Sequence, residues 1–209
     1  AGSVLVVAAG NSGASSLNQT PANCNGVIAV AASSRAGYKT DYTDSGSNVA
    51  LSAAGGGTVY LTYSTSNSGL TRADSAQNTY VNSRGTSFAT PLVAGIASLV
   101  MGYQPSLSPA AVKQLLQSTA TPFPLGSDCA GVCGTGVVNA HAALTALQYN
   151  FIAPTSPINQ TVSINTSRTQ TLTYQNLGQS SVQLGSTQLI SNHTTVSIQS
   201  NTCQNTQIA

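Results

Sequence analysis

The sequence predicts an α/β fold, in which a mainly parallel sheet is flanked by helices, followed by a partial all-β, sandwich-like module. Three observations predict it. Continuous apolar runs at 4–7 and 27–32 are typical of strands buried in a parallel sheet. Apolar residues recur at helical spacing between 87 and 118. After residue 149 the pattern changes to alternating polar and apolar residues. Strands followed by helices at this spacing indicate the α/β class for the first part.

The strands come first along the chain. Val4 to Val7 is apolar without polar alternation, so we expect a strand buried on both faces. A second strand is predicted over Val27 to Ala32, and shorter candidates are Val49 to Ser52 and Val59 to Tyr63. Loops rich in Gly, Ser and Asn connect them.

Three helices follow. Residues 87–102 carry apolar residues so densely that we expect this helix to be buried on most sides. Ser108 and Pro109 form an N-cap and a first helical position, and that helix should end near Ser118. The last helix is predicted from about Asn139 to Leu147.

The chain is predicted to contain two domains. Residues 1–149 form the α/β part, and residues 150–158, which include Pro154 and Pro157, form a linker. Residues 159–209 read as a β-rich module too short to close a sandwich, so we expect it to be truncated. Because the chain opens directly on a buried strand, we also expect an N-terminal part of the fold to precede Ala1.

Composition excludes several classes of function. Only 5% of the residues are charged, the formal net charge is +2, and the six cationic side chains form no cluster. This predicts neither a nucleic-acid partner nor an anionic membrane surface. The longest apolar runs fall far short of the roughly 20 residues of a membrane-spanning helix. A neutral polar surface of Ser, Thr, Asn, Gln and Gly favours a secreted, extracellular protein.

The cysteines also favour a secreted protein. Cys129 and Cys133 enclose a short loop, which predicts a local disulfide in an oxidising environment. The spacing of cysteines and histidines does not predict a zinc site. Cys24 and Cys203 remain without an assigned partner.

One segment carries a candidate nucleophile. Residues 84–95, with the sequence RGTSFATPLVAG, place Ser87 at the start of a helix directly after a Gly-Thr turn. Free N–H groups and a partial positive charge at a helix N-terminus would stabilise an anion developing there. The alternative is an ordinary serine N-cap, which is the commoner use of serine at a helix start.

The full twelve-residue string resembles the catalytic serine motif of the subtilisin-like serine proteases, with Ser87 at the nucleophile position. Residues 6–13, with the sequence VVAAGNSG, are similar to the segment in which this family places an oxyanion-binding Asn, here Asn11. Residues 136–140 are similar to the segment before the family's last helix. The resemblance covers roughly residues 2–148.

The resemblance implies the rest of the site. Ala8, Ala9 and Gly10 would form one wall of the primary specificity pocket, and the stretch from Gln19 to Pro21 would form its base. No charge lies in these segments, so we expect no preference for Lys or Arg. The implied reaction is peptide-bond hydrolysis through an acyl-enzyme, with a protein or peptide as the substrate.

The resemblance also implies that part of the catalytic machinery lies elsewhere. The family orders its triad Asp, His, Ser, so both the acid and the base should precede Ala1. The four aspartates follow the Asn11 segment and read as loop residues: Asp41, Asp44, Asp74 and Asp128. Neither His141 nor His193 matches the catalytic histidine motif. We therefore expect this chain to be inactive without the missing N-terminal part as its partner.

Two further expectations complete the analysis. The chemistry requires no cofactor, and the family resemblance is compatible with a structural calcium ion, for which no ligand residue is assigned. The alternative function is a non-catalytic secreted surface or adhesion protein that contains a relic protease-like half. An intact Ser87 together with Asn11 counts against this alternative.

Overall fold

The fold was analysed in a computed structural model that describes residues 2–149, 152–154, 174–176, 181–183 and 207–208. The chain divides into two compact units, residues 1–144 and 145–209. The first unit contains the α/β fold predicted from the sequence, with a parallel sheet and flanking helices.

The sheet of the first unit is parallel and has three strands in the order β1-β2-β3. They are β1 (Val6–Ala8), β2 (Ile28–Ser33) and β3 (Val49–Ala54). Every residue of β2 is buried, as its continuous apolar run predicts. Because the strands are parallel, their carboxyl ends lie at one edge of the sheet, and β1 leads there into Gly10 and Asn11.

The first strand is less buried than expected. Residues 4, 6 and 7 are only partly buried and Leu5 is 58% exposed, so the prediction of burial on both faces is wrong for the described residues. The reason is that β1 is an edge strand here, paired only with β2.

A separate antiparallel hairpin replaces the strand predicted over 59–63. It pairs β4 (Thr62–Asn67) with β5 (Asn78–Ser83). Val59 and Tyr60 precede it in a turn closed by a hydrogen bond from the Gly57 N–H to the Tyr60 carbonyl, which prevents an extended strand there. Strand β5 ends four residues before Ser87.

Helix α1 (Thr86–Tyr103) packs against all three strands of the parallel sheet and against α2 (Pro109–Ser118). Only one face of α1 is buried; it consists of Thr86, Ala89, Val93, Ala97 and Val100. Leu92 and Leu99 on the other side are 48% and 57% exposed. The prediction of burial on most sides is therefore wrong in the part of the chain that the structure describes, because the sheet and α2 cover only one side.

Helix α1 is also the one described helix whose length and apolar composition would suffice to cross a membrane. Packing against the sheet accounts for the apolar residues on its buried face, whereas Leu92 and Leu99 lie on the face that is exposed in the described residues.

The two shorter helices match their predictions. Helix α2 runs from Pro109 to Ser118, and the Ser108 hydroxyl accepts the Ala111 N–H at 3.2 Å as an N-cap. Helix α3 (Ala140–Tyr149) begins one residue after Asn139, whose side chain accepts the Ala142 N–H at 2.9 Å.

The predicted local disulfide is present between Cys129 and Cys133, and both residues are fully buried. They pack in a core cluster with Ala9, Ala31 and Val49. Cys24 is exposed and forms no disulfide among the described residues, and Cys203 lies outside them.

The second unit is described only in part. Strand β6 (Ile152–Pro154) pairs antiparallel with β7 (Tyr174–Asn176), and β8 (Val182–Gln183) pairs antiparallel with β9 (Gln207–Ile208). Residues 152–154 thus form a strand inside the predicted linker. The remainder of the predicted linker and most of the β-rich module at 159–209 lie outside the described residues, so their assignment stays a prediction.

Candidate active site

Ser87 is the second residue of α1, and Gly85 rather than a serine occupies the N-cap position. The side chain of Ser87 is exposed, and its hydroxyl has no hydrogen-bond partner among the described residues. Its backbone N–H likewise has no acceptor there, whereas the next N–H, that of Phe88, binds the Gly85 carbonyl at 3.0 Å. The N-cap interpretation is therefore wrong, and both groups of Ser87 are available to a substrate.

Asn11 lies beside this helix start, although 75 residues separate it from Thr86. Its Oδ1 accepts the Thr86 backbone N–H at 2.8 Å and the Thr86 hydroxyl at 2.9 Å. Because Oδ1 already accepts these two hydrogen bonds, the Nδ2 group is the part of the Asn11 amide that can donate to another molecule. The structure therefore places the Asn11 amide beside Thr86, the residue before Ser87 at the start of α1.

Thr86 is a residue of the candidate site that the sequence analysis did not single out. It is fully buried, and besides binding Asn11 its hydroxyl lies 3.4 Å from the Gly10 N–H, which it accepts. The motif that contains Thr86 was recognised, but its side-chain partner comes from another part of the chain.

Asp44 is the second missed residue. The sequence analysis interpreted it as a loop residue, whereas it is fully buried beneath residues 10–14, which we call the oxyanion loop. Its Oδ1 accepts the N–H groups of Ser12 and Ala14.

The residues expected to bind substrate lie around this loop. Ala8 ends β1, and Ala9 is fully buried in the core cluster, so only its backbone could contact a ligand. Gly10 and Gln19 are neighbours, because a Cβ on Gly10 would lie 3.2 Å from Gln19 Cγ. Their role in specificity stays a prediction.

Tyr42 and Arg84 support the segment that leads into the helix. The Tyr42 hydroxyl is 2.8 Å and 2.7 Å from the carbonyl oxygens of Gly55 and Gly56, and the Gly55 carbonyl accepts the Gly85 N–H at 2.8 Å. Burial raises the pKa of Tyr42, despite hydrogen bonds and the nearby Arg84 that lower it. The Arg84 guanidinium lies 5.2 Å from the centre of the Tyr42 ring.

The described residues place no histidine in hydrogen-bond contact with Ser87. His141 lies in α3, and His193 is outside the described residues. Nor does that part of the chain contain a group of three or more His, Cys, Asp or Glu side chains that could hold a metal ion.

Comparison with known proteins agrees with this geometry. A model of the subtilase family, Peptidase S8, matches residues 1–150. An extracellular protease of Xanthomonas campestris pv. campestris is 46% identical over 146 residues, which are 69% of this chain and 24% of that protein. Subtilisin DY of Bacillus licheniformis is 37% identical, over 68% of this chain and 47% of its own length.

A solved structure is also similar. A protease from Pseudoalteromonas arctica PAMC 21717 matches with a TM-score of 0.62 and 39% identity, over 69% of this chain and 43% of that one. The chain thus spans about a quarter to a half of the length of these relatives. Given the family match over residues 1–150 and the arrangement of Ser87 with Asn11, this chain belongs to the subtilase family.

Proposed function

We propose that this chain is the part of a secreted serine endopeptidase that carries the nucleophile and the oxyanion site. The observation that carries the proposal is the orientation of Asn11. Thr86 binds its Oδ1 twice, which leaves the amide N–H₂ to donate beside an exposed Ser87. An ordinary polar turn would need neither this orientation nor an exposed serine at a helix N-terminus.

The reaction follows from these groups. Ser87 Oγ attacks the scissile carbonyl carbon while a histidine takes its proton. The Asn11 Nδ2 group and the Ser87 N–H donate to the oxyanion that forms. The peptide C–N bond then breaks, the amine leaves with the proton from the histidine, and water hydrolyses the acyl-enzyme by the same steps in reverse.

The histidine and the aspartate that orients it are proposed to come from sequence upstream of this chain. Two surfaces support this. Leu92 and Leu99 on the outer face of α1, and Leu5 directly before the edge strand β1, are exposed in the described residues, and β1 itself is only partly buried. The missing half of the protease domain would cover both, and the relatives have the length to supply it. Without that half, this chain should be inactive, since the described residues place no base beside Ser87.

Substrates are proposed to be proteins or peptides without a requirement for Lys or Arg. Asp44 is the nearest carboxylate to the proposed pocket residue Gly10, but it is fully buried and so does not face a substrate. Secretion is supported by the buried disulfide and by two relatives that are named extracellular proteases. The reaction needs no cofactor. A structural calcium ion stays a proposal without assigned residues.

A fluorophosphonate probe tests the function on the complete natural protein. We expect covalent labelling at Ser87 and hydrolysis of a casein substrate, and the Ser87→Ala variant should lose both. Thr90→Ser, another hydroxyl change on α1, is the matched control and should keep both. Peptidase activity that survives Ser87→Ala would exclude Ser87 as the nucleophile. A folded, complete protein that is neither labelled nor active would favour the non-catalytic alternative.

A further inference from the structure

A buried carboxylate lies directly under the oxyanion loop. Asp44 has no exposed surface, and its Oδ1 accepts the N–H groups of Ser12 and Ala14, both at 2.8 Å. Its own backbone N–H donates to the Gly10 carbonyl at 2.9 Å. Asp44 therefore holds the loop at three points, one before Asn11 and two after it.

The neighbours of Asp44 extend this attachment. The Gly13 N–H donates to the Tyr42 carbonyl at 2.8 Å, and the Ser45 N–H donates to the Ala14 carbonyl at 3.0 Å. Residues 42–45 thus run alongside the whole loop. Among the hydrogen bonds of this contact in the described residues, only Asp44 contributes a side chain, which binds the N–H groups of Ser12 and Ala14.

Burying a carboxylate at this position costs free energy that a neutral side chain in a purely structural contact would not cost. Burying it removes its hydration, and its Oδ2 has no hydrogen-bond partner among the described residues. What the charge provides is two short charge-assisted bonds to one oxygen, which restrict the loop more than neutral acceptors would. A side chain that binds the backbone on both sides of a loop position restricts where that position can lie.

We propose that Asp44 is a positioning residue for catalysis, which fixes the oxyanion loop so that the Asn11 amide is held where the oxyanion forms. This inference rests on the proposed function. Asp44 does not touch the substrate; it acts through Ser12, Ala14 and Gly10 on the residue between them.

This role predicts which kinetic parameter the loss of Asp44 should change. The oxyanion exists only in the transition state and the tetrahedral intermediate, so a displaced Asn11 lowers kcat and leaves KM nearly unchanged. Because Asp44 acts through Asn11, its removal should matter little once the Asn11 amide is already absent.

The experiment is a double-mutant cycle of Asp44→Ala and Asn11→Ala in the complete protease. Rates are measured on a peptide p-nitroanilide and divided by the concentration of active sites from fluorophosphonate titration, so that unfolded protein is not counted. Asp44→Asn is the conservative variant, because an amide oxygen still accepts both N–H bonds. Ser52→Ala is the control for stability, since Ser52 is a fully buried polar residue whose hydroxyl binds only the Cys133 carbonyl, at 3.0 Å.

We expect Asp44→Ala to lower kcat by about 10-fold or more, which is less than the loss of the Asn11 donor itself. Asp44→Asn should stay within about threefold of the parent, because its bonds are weaker but present. In the Asn11→Ala background, Asp44→Ala should change kcat by less than about twofold.

Three results would overturn the proposal. One is an equal fall in kcat with and without Asn11, and another is a fall no larger than that of Ser52→Ala. The third is a change in KM or in the preferred side chain before the scissile bond, which would make Asp44 a specificity residue. Failure of the proposed function looks different, because the parent protein itself would then be inactive and unlabelled.

Discussion

Replacing Thr86 by alanine should slow catalysis by a small, calculable factor without touching the substrate. The Thr86 hydroxyl donates to Asn11 Oδ1 at 2.9 Å, while the Thr86 backbone N–H binds the same oxygen at 2.8 Å. The substitution removes the first bond, together with the longer 3.4 Å bond that the Thr86 hydroxyl accepts from the Gly10 N–H, and keeps the backbone bond to Asn11. Asn11 then stays near its position but can rotate more freely.

The expected fall in kcat follows from the free energy of the short hydrogen bond between the Thr86 hydroxyl and Asn11. A typical intramolecular hydrogen bond contributes about 0.5 to 1.5 kcal/mol net. If the whole of that is lost in the transition state, kcat falls about 2- to 13-fold, since about 1.36 kcal/mol corresponds to a factor of ten. Loss of the Asn11 amide should be larger, about 10² to 10³, a magnitude that is established for a subtilisin and is adopted from that enzyme.

The assay compares Thr86→Ala with Thr86→Ser, using the complete protease and titrated active sites. Serine lacks the methyl group but keeps the hydroxyl, so the difference between the two variants reports the hydrogen bonds of the hydroxyl, a short one to Asn11 and a longer one from Gly10. We expect Thr86→Ser to retain nearly full kcat. Equal kcat values for the two variants, or a loss of about 10² or more in Thr86→Ala, would refute the reasoning.

Three further predictions concern stability. Gly10→Ala should lower the free energy of unfolding by more than about 2 kcal/mol, because Gly10 has a φ of +121° and a Cβ there would collide with Asp44 Oδ2. Gly95→Ala should raise the free energy of unfolding by up to about 1 kcal/mol, because Gly95 lies on α1 with open space around the added methyl group. Denaturant unfolding measures both. Replacing Cys129 and Cys133 by serine should lower the free energy of unfolding by about 2 kcal/mol, as expected for so short a closed loop. Above pH 10 the parent protein should lose stability, because unfolded tyrosine releases a proton that folded Tyr42 keeps, and Tyr42→Phe should flatten this part of the pH dependence of unfolding.

Each of these has a contrary result. If Gly10→Ala and Gly95→Ala changed stability equally, the close approach of the Asp44 carboxylate to Gly10 would not constrain the loop. A disulfide-free variant as stable as the parent would mean that the cross-link contributes nothing to the folded state. If the free energy of unfolding falls above pH 10 as steeply in Tyr42→Phe as in the parent protein, a group other than Tyr42 releases the proton on unfolding.

The sequence predicted those features that short contiguous strings encode. Ser87 and Asn11 were found because each lies in a motif whose neighbours carry the same information. Helix α2 was placed correctly because Ser108 and Pro109 define its start locally. The disulfide between Cys129 and Cys133 was predicted for the same reason, since only four positions separate the cysteines.

The features that were missed depend on contacts between distant segments. Asp44 looked like a loop residue because nothing near it in sequence reveals the backbone of residues 12–14 above it. The hairpin of β4 and β5 was missed because its strands are mostly polar and exposed, so the hydrophobic alternation that marks a strand is absent. The burial of α1 was overestimated because an apolar composition does not tell which surfaces are covered within this chain.

The two hydrogen bonds between Asn11 and Thr86 also have a consequence for folding. They join residues 75 positions apart, and the parallel pairing of β1 with β2 is likewise non-local. Contacts of this kind close large loops of chain and slow the folding of a domain. An unfolded or newly made chain therefore contains the serine but not the oxyanion site. The candidate oxyanion site therefore forms only together with the tertiary structure, whereas the serine motif is present in the chain from the start.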